Sequence, residues 1–210
     1  GLNADIQNAA EATREIADPD FELLGTNAVS TCSTYATDGG ITLTTTTASA
    51  DQVILVPHLD TNQSAWGTVL WPTSKSLIWE AVISSGSTIT SSILWAGLKL
   101  TNTSVVATDD DQVFFRYEAG VAAGVWQVIS SIANVDTTTN SSVTVATSTR
   151  YHLRIVLNSS RVAKCYINGT LIYTTAALTS ANLIPYIGVQ TSTTAARAVT
   201  VRRQSISRLY

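Results

Sequence analysis

From Phe21 onward, short runs rich in Val, Ile, Thr, Tyr and Trp alternate with clusters of Gly, Asn, Asp and Ser. Within the runs apolar residues tend to recur at every second position, which places them on one face of a strand. The pattern predicts strands over 21–24, 28–35, 41–46, 52–56, 77–83, 93–100, 112–117, 125–131, 151–157, 162–167, 170–174, 184–190 and 198–207. No helical periodicity interrupts them, so the expected architecture is a pair of packed antiparallel sheets. The strongest local signal is Asn168-Gly169, which supplies the positive φ angles of a two-residue type I′ hairpin turn. That turn predicts a register with Ile167 opposite Thr170, Tyr166 opposite Leu171, Cys165 opposite Ile172 and Lys164 opposite Tyr173.

The first residues carry a different period. Leu2, Ile6, Ala9, Ala10, Thr13 and Ile16 recur at three-to-four spacing with Asp5, Glu11, Arg14 and Glu15 between them, which predicts a short amphipathic helix. Asp18-Pro19-Asp20 ends it, because the residue before Pro is pushed out of the helical region. The expected division is an N-terminal helical arm over 1–20 and a β-sandwich over 21–210. A helix this short needs a surface to stabilise it. Either it lies on its own sandwich or it packs on a neighbouring copy through Leu2, Ile6, Ala9 and Ile16.

Composition narrows the class. Charged residues make up 13% of the 210 residues, against roughly 25% in an ordinary soluble domain. Polarity comes instead from 32 Thr and 23 Ser, residues at home in strands and turns. A net charge of -3 offers no basic stripe for phosphates, so nucleic acid is not an expected partner. The longest apolar runs, 53–56 and 93–98, are strand-sized, and no membrane span is expected. The first residues lack a basic segment followed by an apolar one, so no secretory signal is read there. Cys32 and Cys165 are too few and too far apart for a disulfide framework or a zinc site. They fit buried thiols, with a single long-range bridge as the alternative.

The segment from Arg150 through Tyr151-His152-Leu153-Arg154-Ile155-Val156-Leu157, the turn Asn158-Ser159-Ser160, the strand ending in Tyr166-Ile167-Asn168-Gly169 and the following Leu171 resembles the C-terminal half of concanavalin A-like and laminin-G-like jelly rolls. Ile187-Gly188-Val189 and the last strand fit the same pattern. The resemblance spans roughly 77–210 and implies an all-β, two-sheet antiparallel jelly-roll sandwich. Such sandwiches host lectins, glycosidases, adhesion modules and virion parts, so the fold alone does not give the function. The hydroxyl-rich chain, with Gly39-Gly40-Ile41-Thr42-Leu43-Thr44 and Asn182-Leu183-Ile184-Pro185-Tyr186, also resembles structural proteins of tailed phages, especially marine ones.

Chemistry is sparse. A glycosidase needs two carboxylates across a cleft, and the β-glucanase members of the resembled fold carry Glu-x-Asp-x-Glu on one strand; no such triplet occurs here. Glu80 reads as a solvent-facing or paired strand residue. His58 and His152 are the chain's two histidines, and neither belongs to a hydrolytic motif. Asp109-Asp110-Asp111 could be a calcium loop or a solvated turn. No catalytic residue, metal ligand or cofactor is assigned. Trp66 and Trp71, in the expected loop over 59–76, could stack on sugar rings; alternatively the loop folds back over the sandwich edge. Trp79, Trp95 and Trp126 are expected in the core.

Together these readings point to a non-enzymatic virion protein, a capsid decoration or head-fibre component localised to the particle. Its partners would be other virion proteins and further copies of itself, in a closed ring such as a trimer. The alternative is a lectin-like module that binds a glycan.

Overall fold

A computed structural model describes residues 7–8, 21–57, 59–61, 64–65, 70–101 and 109–208. Two sheets face one another. The eight-stranded sheet runs β1 (Gln7–Asn8), β2 (Phe21–Leu24), β5 (Gln52–Pro57), β16 (Ile184–Thr191), β9 (Ser92–Lys99), β10 (Gln112–Glu118), β11 (Val125–Ile132) and β12 (Val135–Thr144). The seven-stranded sheet runs β15 (Thr170–Ala177), β14 (Val162–Ile167), β13 (Arg150–Leu157), β8 (Leu77–Ser85), β17 (Ala198–Arg208), β4 (Ile41–Thr44) and β3 (Ser33–Tyr35). A small hairpin joins β6 (Leu59–Thr61) to β7 (Ser64–Ala65). The expected antiparallel sandwich is therefore the fold.

Alternation builds the core between the sheets. Leu77, Trp79, Ala81 and Ile83 of β8 and Leu153, Ile155 and Leu157 of β13 face Leu94, Ala96 and Leu98 of β9 and Val113, Phe115 and Tyr117 of β10. Aromatic rings join the layers. Trp79 stacks on Phe115 with centroids 6.4 Å apart, and Trp126 meets Tyr151 edge-on at 5.5 Å and Tyr117 at 6.4 Å. Offset and edge-to-face pairs of this kind add to the stabilisation from burial alone. Both cysteines are free and buried, as small hydrophobes.

Four findings correct the sequence reading. Gln7–Asn8, inside the predicted helix, are extended and pair in parallel with Glu22 and Leu23 of β2. A sheet edge gives the backbone partners that a short helix must otherwise supply for itself. Residues 1–6 and 9–20, and with them Leu2, Ile6, Ala9 and Ile16, lie outside the described residues. The strand predicted over 28–35 is a 3-10 turn, Ser30–Cys32, followed by the short β3. The register after Asn168-Gly169 holds for Ile167–Thr170 and Tyr166–Leu171, then shifts so that Cys165 faces Tyr173 and Lys164 faces Thr174. Ile172 is the extra residue of a β-bulge, which bends and twists the strand. The fourth is β12, whose sequence VDTTTNSSVT lacks an apolar stripe because it is an edge strand exposed along most of its length.

Candidate glycan-recognition face

Each strand of the eight-stranded sheet has a second face, turned away from the core just described. Trp95, Phe114, Ile129, Tyr186, Ile54 and Val56 form a separate buried cluster there. Trp95, expected in the core, is buried; it sits one position out of phase with Leu94 and Ala96, and so packs in the cluster on the opposite face.

Two glycines make this face possible. Gly97 lies between Phe114 on one side and Tyr186 on the other in the strand register. The rings of those two residues pack with centroids 6.2 Å apart. Gly188 lies between Trp95 and Ile54, and a Cβ there would stand 3.3 Å from the Trp95 ring and 3.1 Å from the Ile54 side chain. Absent side chains at 97 and 188 leave room for large neighbours to settle onto the sheet.

Beside the apolar cluster runs a row of planar polar groups. Arg116 of β10 donates from Nε and Nη2 to Gln127 Oε1 of β11, at 3.2 and 2.9 Å. Gln127 Nε2 donates onward to Asn140 Oδ1 of β12 at 2.8 Å. Glu118 Oε2 lies 3.5 Å from Arg116 Nη1. Arg116 and Glu118 are about one-third exposed and Asn140 is exposed, while Gln127 between them is buried, so the row opens to solvent at its two ends. Farther along the face, Gln52 Nε2 donates to Gln190 Oε1 at 3.1 Å. Register explains the row: Arg116, Gln127 and Asn140 are direct cross-strand neighbours.

At the other end the face closes over a charged pair. Lys99 is fully buried, with Nζ 4.0 Å from Asp109 Oδ2 and 5.6 Å from the centroid of the Tyr186 ring. Burial holds the Lys99 ammonium below its usual range, and Asp109 partly restores it. The Tyr186 hydroxyl is pushed well above its usual range, first by burial and then by the Asp109 charge, so it stays protonated. Tyr186 Oη, Gln112 Oε1 and Ser131 Oγ are buried without a hydrogen-bond partner.

The predicted residues fall in several places. The three aspartates diverge. Asp109 accepts from Thr101 N at 2.9 Å and Thr101 Oγ1 at 2.7 Å, Asp110 is exposed, and Asp111 accepts from Ala133 N at 3.1 Å. Among the described residues no three His, Cys, Asp or Glu side chains converge as metal ligands do. Glu80 is on the outer face of the seven-stranded sheet, 3.1 Å from Arg154 Nε and 3.8 Å from His152 Nε2. It is the paired strand residue that its sequence position suggests. Nearby, Arg150 and Arg202 share the Asp38 carboxylate, which Arg202 above all holds below its usual range. Trp71 is 3% exposed and packs into the main core, so the loop has folded back over the sandwich edge there. His58 and Trp66 lie outside the described residues. Sequence reading missed the Arg116–Gln127–Asn140 row, whose signal was the phase of the polar positions relative to Tyr117, Trp126 and Val128.

Comparison with known proteins bears on this geometry. Residues 61–206 match a family described as SO2946-like, C-terminal domain. An alginate lyase from Corynebacterium sp. superposes with a TM-score of 0.63 at 12% identity, over 88% of this chain and 84% of that one. The protein of unknown function SO2946 from Shewanella oneidensis MR-1 gives 0.60 at 15% identity, over 90% and 78%. The carbohydrate recognition domain of Emp46p gives 0.60 at 9% identity, over 91% and 92%. No curated protein sequence matches. At these identities the likeness establishes the sandwich fold. The expectation of a virion structural protein is overturned: the neighbours whose names state a role are alginate lyases and a carbohydrate recognition domain, and the phage resemblance finds no support among them.

Proposed function

The chain belongs to the SO2946-like, C-terminal domain family, and we propose that it is a carbohydrate-binding module that reads a glycan chain on the outer face of the eight-stranded sheet. The observation that carries this reading is the row Arg116–Gln127–Asn140 beside Glu118. Amide, guanidinium and carboxylate groups held flat by one another present fixed donors and acceptors to sugar hydroxyls, with little side-chain entropy left to lose on binding. The Emp46p neighbour is by its name a carbohydrate recognition domain, which agrees in class.

We read the role as recognition without turnover. Among the described residues of this face, each acid bordering the site is engaged: Glu118 pairs with Arg116, and Asp109 accepts from Thr101. The Tyr186 phenol is kept protonated by burial. Proton abstraction needs a base free to reach the substrate; both acids are engaged by other groups, and the phenol keeps its proton.

The test is affinity electrophoresis and calorimetry against alginate, xylan, laminarin and galactan. Retardation by at least one polysaccharide is expected, weakened more than tenfold in Arg116→Ala and Gln127→Ala with melting temperatures close to the parent. Equal retardation of parent and variants would sink the assignment of this face. Release of unsaturated uronate ends from alginate, followed by ultraviolet absorbance, would overturn recognition without turnover.

A further inference from the structure

The outer face of the seven-stranded sheet is charged in the sense opposite to the whole chain. Arg150, His152 and Arg154 of β13 and Lys164 of β14 stand out of phase with the buried Tyr151, Leu153, Ile155, Ala163 and Cys165, and so point away from the core. On β17, Val201 is opposite Ile83 and Arg203 opposite Val82, which makes Arg202 the extra residue of a bulge, and its Nε reaches Ser84 Oγ on this same face at 3.2 Å. The acids that meet these cations are Asp38 and Glu80. Five of the chain's 12 Lys and Arg thus stand against two of its 15 Asp and Glu, a net +3 with His152 neutral on a chain of net -3. Lys164 and Arg203 are exposed and have no ionic partner among the described residues.

A groove of about 500 Å³ opens at one end of this face, with Asp38, Thr42, Ser84, Arg150, Thr200 and Arg202 in its lining. Strand register builds it. Arg150 is opposite Ser84, Ser84 opposite Thr200, Thr200 opposite Thr42 and Thr42 opposite Thr34, one residue from each of five strands. Arg150 and Arg202 share the Asp38 carboxylate, and Arg202 Nη1 also donates to Gly39 O at 2.6 Å. Two guanidinium groups on one carboxylate leave a positive charge uncompensated. The Arg150 side chain is 62% exposed and gives only Nη2 to Asp38, at 3.3 Å, so its Nε and Nη1 face solvent with donors to spare. Along the row, the Thr42 and Thr200 hydroxyls lie 2.9 Å apart, and Thr34 is exposed beyond them.

We propose that this groove takes the anionic group of a charged glycan, a uronate carboxylate or a sulfate ester, with the hydroxyls of the same sugar lying along the Thr200–Thr42–Thr34 row. The uncompensated charge selects an oxyanion, whose geometry matches the planar donors of a guanidinium. The hydroxyl row selects the carrier, because each Thr both donates and accepts and so pairs with a polyhydroxylated ring in either sense. The site lies on the opposite sheet from the Arg116 row. That the carrier is a sugar rests also on the carbohydrate reading above, whereas the oxyanion rests on the charge of this face alone.

The test titrates the whole chain with polygalacturonate, dextran sulfate and uncharged dextran by calorimetry. At least one charged polymer should bind about tenfold or more tighter than dextran, with affinity falling as salt rises. Binding of polygalacturonate alone identifies the carboxylate, of dextran sulfate alone the sulfate, and of both the oxyanion they share. Arg150→Ala should weaken binding about tenfold and Thr200→Val about threefold, with melting temperatures close to the parent. Lys75→Ala, which removes one exposed positive charge far from the groove, should leave the affinity unchanged. Equal losses in Arg150→Ala and Lys75→Ala, or no loss in Thr200→Val, would reduce the effect to net charge and overturn the groove. Binding of neither charged polymer would overturn it too, as would duplex DNA or phosphatidylserine vesicles bound as tightly as the better polymer. Retardation of a neutral polysaccharide that depends on Arg116 reports on the other sheet, and stands or falls independently of these results.

Discussion

Gly97→Ala separates backbone entropy from packing by sign. In a strand interior, Gly normally weakens the fold by about 0.5–1 kcal/mol relative to Ala, so the exchange should stabilise wherever space allows. At position 97 a Cβ would stand 2.5 Å from both Phe114 Cα and Val113 O, where ordinary contact begins at 3.4 Å. The atoms it meets are backbone, so a rotamer change cannot relieve the overlap; β9 and β10 must separate locally by about 0.9 Å, the difference between those two distances. Forced methyl insertion into packed interiors costs roughly 1–3 kcal/mol. For a chain of this size a kilocalorie corresponds to about 2–4 °C in melting temperature, so the expected fall is about 2–12 °C. Gly188→Ala is the internal control: its nearest atoms lie at 3.1–3.3 Å, and two of the three belong to side chains, so a smaller loss is expected. The assay is calorimetry or circular dichroism on both variants. A Gly97→Ala protein that melts at or above the parent temperature would refute the argument that this glycine is needed for close approach of two strands under Phe114 and Tyr186.

Further expectations follow from other sites. Trp126→Ala, which removes a fully buried ring that touches Tyr117 and Tyr151, should cost about 3–5 kcal/mol. Trp126→Phe should cost less than half of that, because the lost Nε1 has no partner in the fold; paired denaturant titrations compare them. Asp51 is held below the usual carboxylate range first by the Thr46 hydroxyl, with Asn27 and Ala48 N adding to it. Its contribution is therefore present above about pH 4 and is lost as pH falls through the lowered folded value, so melting temperatures of parent and Asp51→Asn should converge below about pH 4. Burial pushes the Cys165 thiol up to about 12, so at pH 8 a disulfide reagent should leave Cys165 unmodified in the native protein and titrate both cysteines once guanidinium unfolds it. Lys99→Met should destabilise by about 3–5 kcal/mol by leaving the Asp109 charge buried without its cation.

The sandwich was legible because its inner faces obey a strict period of two. Leu77, Trp79, Ala81 and Ile83 announce a strand and its buried side at once. β12 was not legible, since a hydroxyl-rich edge strand is held by its backbone ladder to β11 and has no face to hide. The bulge at Ile172 was invisible for a different reason: Asn168-Gly169 fixes the first two cross-strand pairs, and nothing in the turn governs what the strands do three residues later. Trp71 shows how position in a loop misleads. A tryptophan in an expected loop, next to a proline, looks available, yet Pro72 bridges to Asn182 and Trp71 is buried in the core.

The candidate face was missed for a reason that bears on how such sites can be read. On β9, β10 and β16 large apolar residues stand at outward as well as inward positions: Trp95, Phe114 and Tyr186 alternate with Ala96, Phe115 and Ile187. A strand apolar on both faces reads as doubly buried, so alternation alone does not single out its outer face. Gly97 and Gly188 carry the distinction. Each sits at an outward position, and each lies where a large ring from a neighbouring strand must cross the backbone. A glycine at the outward phase of an otherwise apolar central strand therefore marks a face with its own packing, and the polar residues in register beyond its edge, here Arg116, Gln127 and Asn140, are where a ligand's hydroxyl groups would find partners.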